Sequence, residues 1–269
     1  MKKKRPATKI VIASIVAGAL AIGVTGAMRV AKEDAPCGAG FVRLGVRCMP
    51  AASASACDPP ARARIRVPRT RVVIGPSDWE AEGRVKPRAV EAGPFDLDAY
   101  EVAMGDLSRD VDPSDGCRAA SRVTLSEARA SCKERGGRLP TEDEWIVAAA
   151  GDRPRRYPWG DTGAVCRRAA WGLVRGPCGK GATGPDTVGA HPDGKTPLGI
   201  HDLAGNVAEW VETGVCTGAV GGECLGVVRG GSYETDLATD LRTWVRREVS
   251  WASREPSIGF RCAYDVAVE

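Results

Sequence analysis

The sequence predicts a loop-rich α+β domain built from two helices and a handful of short strands. Three observations lead there. Gly and Pro are abundant, 33 and 18 of 269 residues. Two helical segments each open on a capping-box signature, and most of the remainder shows short alternating runs or no periodicity at all. A content of 43% hydrophobic and 27% charged residues excludes both a wholly disordered chain and a polytopic membrane protein. The formal charge of +4 comes from Lys2, Lys3, Lys4, Arg5 and Lys9. The rest is close to neutral, so no charge pattern supports a nucleic-acid surface.

Met1–Lys9 is basic and Ile10–Met28 is uncharged and apolar or small. Residues 1–28 therefore read as a secretory signal, with Thr25-Gly26-Ala27 as a cleavage site, or as a retained N-terminal membrane anchor. Both readings place the remainder outside the cytoplasm: periplasmic, on the cell surface or secreted. Residues 29–64 are rich in Ala, Pro, Ser and Cys and read as a linker holding one Cys loop. The folded body is expected over 65–269, and all seven Trp lie within it.

Within that body Arg71–Gly75 reads as a short strand. Phe95–Val102 alternates apolar residues at Phe95, Leu97 and Ala99, the period of a half-buried strand. Thr124-Leu-Ser-Glu127 and Thr141-Glu-Asp-Glu144 are capping boxes, in which the Thr hydroxyl accepts an orphan backbone N–H and the Glu reaches back. The first helix ends at Gly136-Gly137 and puts Leu125, Ala128 and Cys132 on one face; the second groups Trp145, Ala148 and Ala149. Asp152–Gly226 reads mostly as ordered loop. Val227–Tyr233 and Ile258–Tyr264 read as strands.

Ten Cys in an exported chain read as a disulfide framework. Three pairs lie close in sequence, Cys37/Cys48, Cys166/Cys178 and Cys216/Cys224, and each would staple a loop. With only two His, His191 and His201, a His-based metal site or hydrolase triad is not expected. Arg138, Arg229, Arg246, Arg247 and Arg261 suggest either an anion-binding groove or, more in keeping with a loop-rich fold, pins between loops. Trp159, Trp210, Trp244 and Trp251 read as core.

Five collinear segments resemble the formylglycine-generating enzyme, or sulfatase-modifying factor, family: FDLDAYEV at 95–102, GRLPTEDEW at 137–145, YPWGD at 157–161, LGIHDLAGNVAEW at 198–210, and VRGGSY at 228–233 with IGFRCA at 258–263. The resemblance spans roughly 72–265 and implies a C-type-lectin-like fold. Enzymatic members of that family hold copper(I) between two cysteines that follow the Gly-Gly-Ser motif. The matching positions here are Thr235 and Asp240, neither a soft ligand, so no copper is expected. A family disulfide matches Cys132 with Cys262, which leaves Cys57 and Cys117 as a further bridge or as free thiols. A second family bridge matches Ala149 and Val245 and is absent. The sulfoxide synthases of the family use a three-His iron site completed by an additional helical domain; with only His191 and His201 and no room expected for that domain, non-haem iron is not expected.

The resemblance also implies a calcium site with the Asp202 and Glu209 side chains and the Gly205 and Val207 carbonyls as ligands, a donor set suited to a hard cation. The alternative is a turn in which both carboxylates accept backbone N–H groups. The expectation is an exported, non-catalytic module binding an exported protein, peptide or glycan, tethered to a membrane if the N-terminal segment is retained. The rival is an oxidoreductase of the same family, formylglycine-generating or sulfoxide-synthase-like, working through other residues such as Tyr233, Asp236, Asp240 and Glu248.

Overall fold

A computed structural model of the chain describes residues 41–44, 47–50, 63–75, 86–108, 110–213, 219–220 and 223–267. The chain divides into two compact units, Met1–Ala51 and Ala52–Glu269. In the first, β1 (Phe41–Leu44) and β2 (Arg47–Pro50) pair as an antiparallel hairpin inside the stretch expected to be linker. Cys48 is a strand residue of β2, in register with Arg43. The bridge expected between Cys48 and Cys37 lies outside the described residues, as does the expected signal or anchor. Among the described residues no helix is long and apolar enough to cross a membrane.

The second unit starts with β3 (Arg64–Val67), followed by the hairpin of β4 (Thr70–Ile74) and β5 (Arg88–Ala92). In β4, Val72 and Ile74 are buried while Val73 is 57% exposed, the alternation of a strand with one wet face. Strand β6 (Phe95–Asp98) is the centre of an antiparallel sheet, flanked by β3 and by β12 (Ala263–Asp265). Phe95 and Leu97 are buried there, and Ala99 continues the same face.

A single turn, α1 (Met104–Leu107), precedes the two principal helices, α2 (Leu125–Glu134) and α3 (Glu142–Ala150). Both capping boxes form. The Thr124 hydroxyl accepts from the Glu127 amide and the Thr141 hydroxyl from the Glu144 amide, while each Glu accepts from its Thr amide. Helix α2 gives way to a turn at Arg135-Gly136, where Gly136 takes φ +78°. It buries Leu125, Ala128 and Cys132, a stripe of one residue in three or four. Helix α3 is buried on all sides from Glu144 to Ala150 because it packs against the β4–β5 hairpin and shares one core cluster with Leu203, Val211 and Val227.

The largest sheet has the order β10 (Arg246–Ser250), β9 (Glu223–Arg229), β7 (Ala208–Val211), β11 (Ile258–Gly259), with β8 (Ala219–Val220) added to β9. Strand β9 stops at Arg229, four residues short of the expected end, because Gly230 and Gly231 turn the chain at φ +94° and +69°. The run expected as one strand over 258–264 is two. Ile258–Gly259 pairs with β7 and Ala263–Asp265 with β6, so Phe260-Arg261-Cys262 crosses from one sheet to the other. Phe260 and Cys262 sit in the α2 cluster, and Cys262 is bonded to Cys132 across 130 residues of sequence. Trp145 and Trp210 are fully buried.

Candidate functional site

The crossing places Arg261, with no exposed surface, among the Leu198–Trp210 loop, β6 and β7. Its guanidinium makes a two-pronged pair with Glu209, Nε to Oε2 at 2.8 Å and Nη2 to Oε1 at 2.6 Å. It also donates to the carbonyls of Asp98 at 3.1 Å and His201 at 2.7 Å. The Trp145 indole N–H completes the shell of Glu209 at 2.8 Å. Both carboxylate oxygens are thus taken.

Beside this pair lies a second buried acid, Glu101, which accepts from the Val207 amide at 3.0 Å and the Asn206 side-chain amide at 2.5 Å. Asn206 sits in the left-handed region (φ +56°), where Asn is better tolerated than most residues, and joins four segments. Its side-chain oxygen accepts from the Asp186 amide, its own amide donates to the Ala170 carbonyl, and its carbonyl accepts from the Tyr233 amide. Gly205 has φ +85°, and a Cβ there would meet the Ala170 carbonyl. Asp202, also left-handed, accepts from the Gly189 amide at 2.6 Å. Burial, reinforced by Asp202 and Glu209, pushes the Glu101 carboxyl well up. Burial likewise lifts Asp202 to about 6, against the Gly189 bond and Arg261.

The four residues expected to ligate calcium are therefore brought together, but as a hydrogen-bonded loop. The Arg261 guanidinium supplies the positive charge at Glu209 that a cation would supply, so the donor set as arranged does not fit a calcium ion. Among the described residues no group of three or more His, Cys, Asp or Glu is arranged to hold a metal. His201 is buried, stacks on Tyr100 with ring centroids 4.5 Å apart, and is driven to about 4 by burial, Lys195 and Arg261, so its ring stays neutral at pH 7. His191 lies 3.5 Å from Asp186. Against its burial, His191 and Lys180 hold the Asp186 carboxyl well below the carboxylate range.

The Gly-Gly-Ser bend brings Thr235 and Asp240 to one place: a Cβ on Gly231 would meet the Leu241 side chain, the Asp240 carbonyl and the Thr235 hydroxyl. The Thr235 hydroxyl is engaged, accepting from the Ser232 amide at 2.9 Å. A wall of the bend is the segment at 171–173. The Gly172 amide donates to the Thr235 carbonyl at 2.7 Å and the Leu173 amide to the Tyr233 carbonyl at 2.9 Å. Trp171 packs with Leu241, and Leu173 with Tyr233. The Tyr233 phenol, raised to about 12 by burial and by Glu234, donates to that carboxylate.

Of the rival catalytic set, Tyr233, Asp236 and Asp240 belong to this bend, whereas Glu248 is on β10 and bound by Arg246. The five arginines of the shared motifs are pins. Arg138 joins Glu144 and Asp265, Arg247 joins Glu255, and Arg229 and Arg246 both hold Glu142. Tyr157–Asp161 is a closed turn, with Tyr157 and Gly160 exchanging backbone bonds. Trp159 stacks on Tyr157 at 4.9 Å, while Trp210 and Trp244 are buried.

Of the expected disulfides, Cys132–Cys262 and Cys166–Cys178 form. Cys117 and Cys224 are also in disulfides. The partners expected for Cys48, Cys117 and Cys224, namely Cys37, Cys57 and Cys216, lie outside the described residues.

Glu101 and Asn206 escaped the sequence reading. One signal was present for Glu101: it continues the buried parity of Phe95, Leu97 and Ala99, so an acid was due to be buried. Nothing in the sequence marked Asn206 as the junction of four segments.

The family model for the sulfatase-modifying factor enzyme 1-like domain matches residues 51–266. The "Inactive C-alpha-formylglycine-generating enzyme 2" of Mus musculus is 34% identical over 152 residues, 52% of this chain and 47% of that protein. The "Hercynine oxygenase" of Mycolicibacterium thermoresistibile is 33% identical over 172 residues, 54% of this chain and 35% of that protein. The aligned region thus spans less than half the length of these relatives. PvdO from Pseudomonas aeruginosa superposes with a TM-score of 0.62 at 20% identity, covering 79% of this chain and 97% of that one. Treponema denticola variable protein 1 gives 0.56 at 18%, covering 75% and 94%. These likenesses establish the C-type-lectin-like, formylglycine-generating-enzyme-type fold.

Proposed function

From the premise that the chain belongs to the sulfatase-modifying factor enzyme 1-like domain family, we propose that it is an exported, non-catalytic member that binds a protein, peptide or glycan. The observation that carries the reading is the chemistry of the Gly-Gly-Ser bend. Thr235 and Asp240 offer oxygen where copper(I) needs thiolate. The Thr235 hydroxyl is already spent on the Ser232 amide. Cys262, the next cysteine along the chain, is sealed to Cys132. No free cysteine occurs among the described residues.

A relative whose name begins "Inactive" is in keeping with a fold that outlives its chemistry. The disulfides support a place outside the cytoplasm. Two assays on the purified chain test the reading: copper(I) titration against a competing chelator, and conversion of a peptide cysteine to an aldehyde. Neither stoichiometric copper nor aldehyde is expected, and either one would return the protein to the oxidases.

The rival reading, oxygen chemistry as in relatives named hercynine oxygenase, draws on likeness over about half the chain. It meets one obstacle in the residues: the sequence offers two histidines, His191 and His201, where the iron site of the family's sulfoxide synthases takes three.

A further inference from the structure

We propose that the Cys166–Cys178 disulfide is a thiol-exchange site, built into the wall of the Gly-Gly-Ser bend and reacting with a small thiol. The two bridges described in full differ sharply. Cys132 and Cys262 have no exposed surface. Cys166 is exposed, Cys178 is half-buried, and their bridge closes a loop with a sequence separation of only 12. Thiol–disulfide exchange needs a thiolate in line with a sulfur, so access decides which bridge reacts and which of its atoms is struck.

The two sulfurs have different parts. Cys178 packs against both the Trp171–Leu241 cluster and the Leu173–Tyr233 cluster. The small thiolate attacks Sγ of exposed Cys166. A bond forms between the two sulfurs, the Cys166–Cys178 bond breaks, and Cys178 leaves with the electron pair and takes a proton from water. The protein then carries one mixed disulfide and one thiol. Held by its packing, Cys178 stays beside Cys166 and can expel the small thiol again by the reverse step. In the sequence the loop closed by the bridge contains Gly172 and Leu173, whose amides donate to the Thr235 and Tyr233 carbonyls. Opening the bridge therefore loosens the wall of the bend, and the inference does not depend on what the bend binds.

The test uses the full chain, native, in a glutathione series, with acid quench, alkylation and peptide mass analysis. The expected result is a glutathione adduct on Cys166 with alkylated Cys178, formed at least about tenfold faster than any opening of Cys132–Cys262. Amide exchange at Leu173 should rise in the same samples. In Cys178→Ser, glutathione disulfide should leave a Cys166 adduct that does not reverse without added thiol. The proposal is overturned if both bridges open only together in denaturant, or if the adduct sits on Cys178. It is also overturned if the Cys178→Ser adduct clears unaided; unchanged exchange at Leu173 overturns the link to the bend.

Discussion

Replacing Arg261 with Met is the sharpest perturbation the site offers. The change keeps most of the side-chain volume but removes one guanidinium from among three buried carboxylates, Glu101, Asp202 and Glu209, all of which interact with it electrostatically. Breaking a buried pair by deleting one partner costs about 3–5 kcal/mol. The carbonyls of Asp98 and His201 lose a donor as well, at about 1–3 kcal/mol each when nothing replaces it. These terms overlap, so about 4–6 kcal/mol is expected, against the roughly 5–15 kcal/mol by which domains are stable. Glu209→Gln is expected to cost less, because Arg261 keeps Glu101 and Asp202 beside it and can still donate to the amide oxygen.

Urea unfolding of both single variants and the double variant measures this as a cycle. The double variant should be less destabilised than the sum of the singles. Acidification from pH 7 to 5 should partly restore Arg261→Met, since protonation removes the unbalanced charge. The reasoning is refuted if Arg261→Met lies within about 1 kcal/mol of the parent, or if Glu209→Gln proves the costlier change.

As pH falls from about 6 towards 4, Asp202, near 6 when folded and near 4 when unfolded, should add stability, while His201, at about 4 when folded and near 6.5 when unfolded, removes it. The unfolding free energy of Asp202→Asn should therefore fall more steeply with acid than the parent's; equal slopes contradict it. Chelator should leave the melting temperature unchanged, and a fall would reinstate a bound cation. Arg122→Gly should raise stability by about 1 kcal/mol, because Arg122 holds φ +59° against its Cβ, and calorimetry reads the shift directly. Thr235→Val should cost about 1 kcal/mol in the same assay through the orphaned Ser232 amide.

Local signals were legible where one residue does a local job. The two capping boxes marked both principal helix starts, and alternation at Phe95 and Leu97 marked β6, which stops at Asp98 rather than at the expected Val102. Strand β7 hid because Ala208–Val211 is buried on both faces and shows no alternation. The break between β11 and β12 hid for a different reason: an unbroken apolar parity through Ile258, Phe260, Cys262 and Tyr264 persists even though the partner strand changes midway. The role of Arg261 depends on that change. Its charge is balanced by a residue 52 positions earlier, a pairing no local pattern encodes. The calcium reading turns on the same residue, for ligand types can be read from a motif but their counter-ions cannot.

Asn206 is the chain's single asparagine, and there is no glutamine at all. Its carboxamide is the one primary amide among the side chains, and both its ends are committed, to Glu101 and to Asp186. Isotopic nitrogen supplied as asparagine would thus light one pair of side-chain resonances, reporting from the junction where four segments meet. The protein carries its own spectroscopic probe of whether that junction is closed.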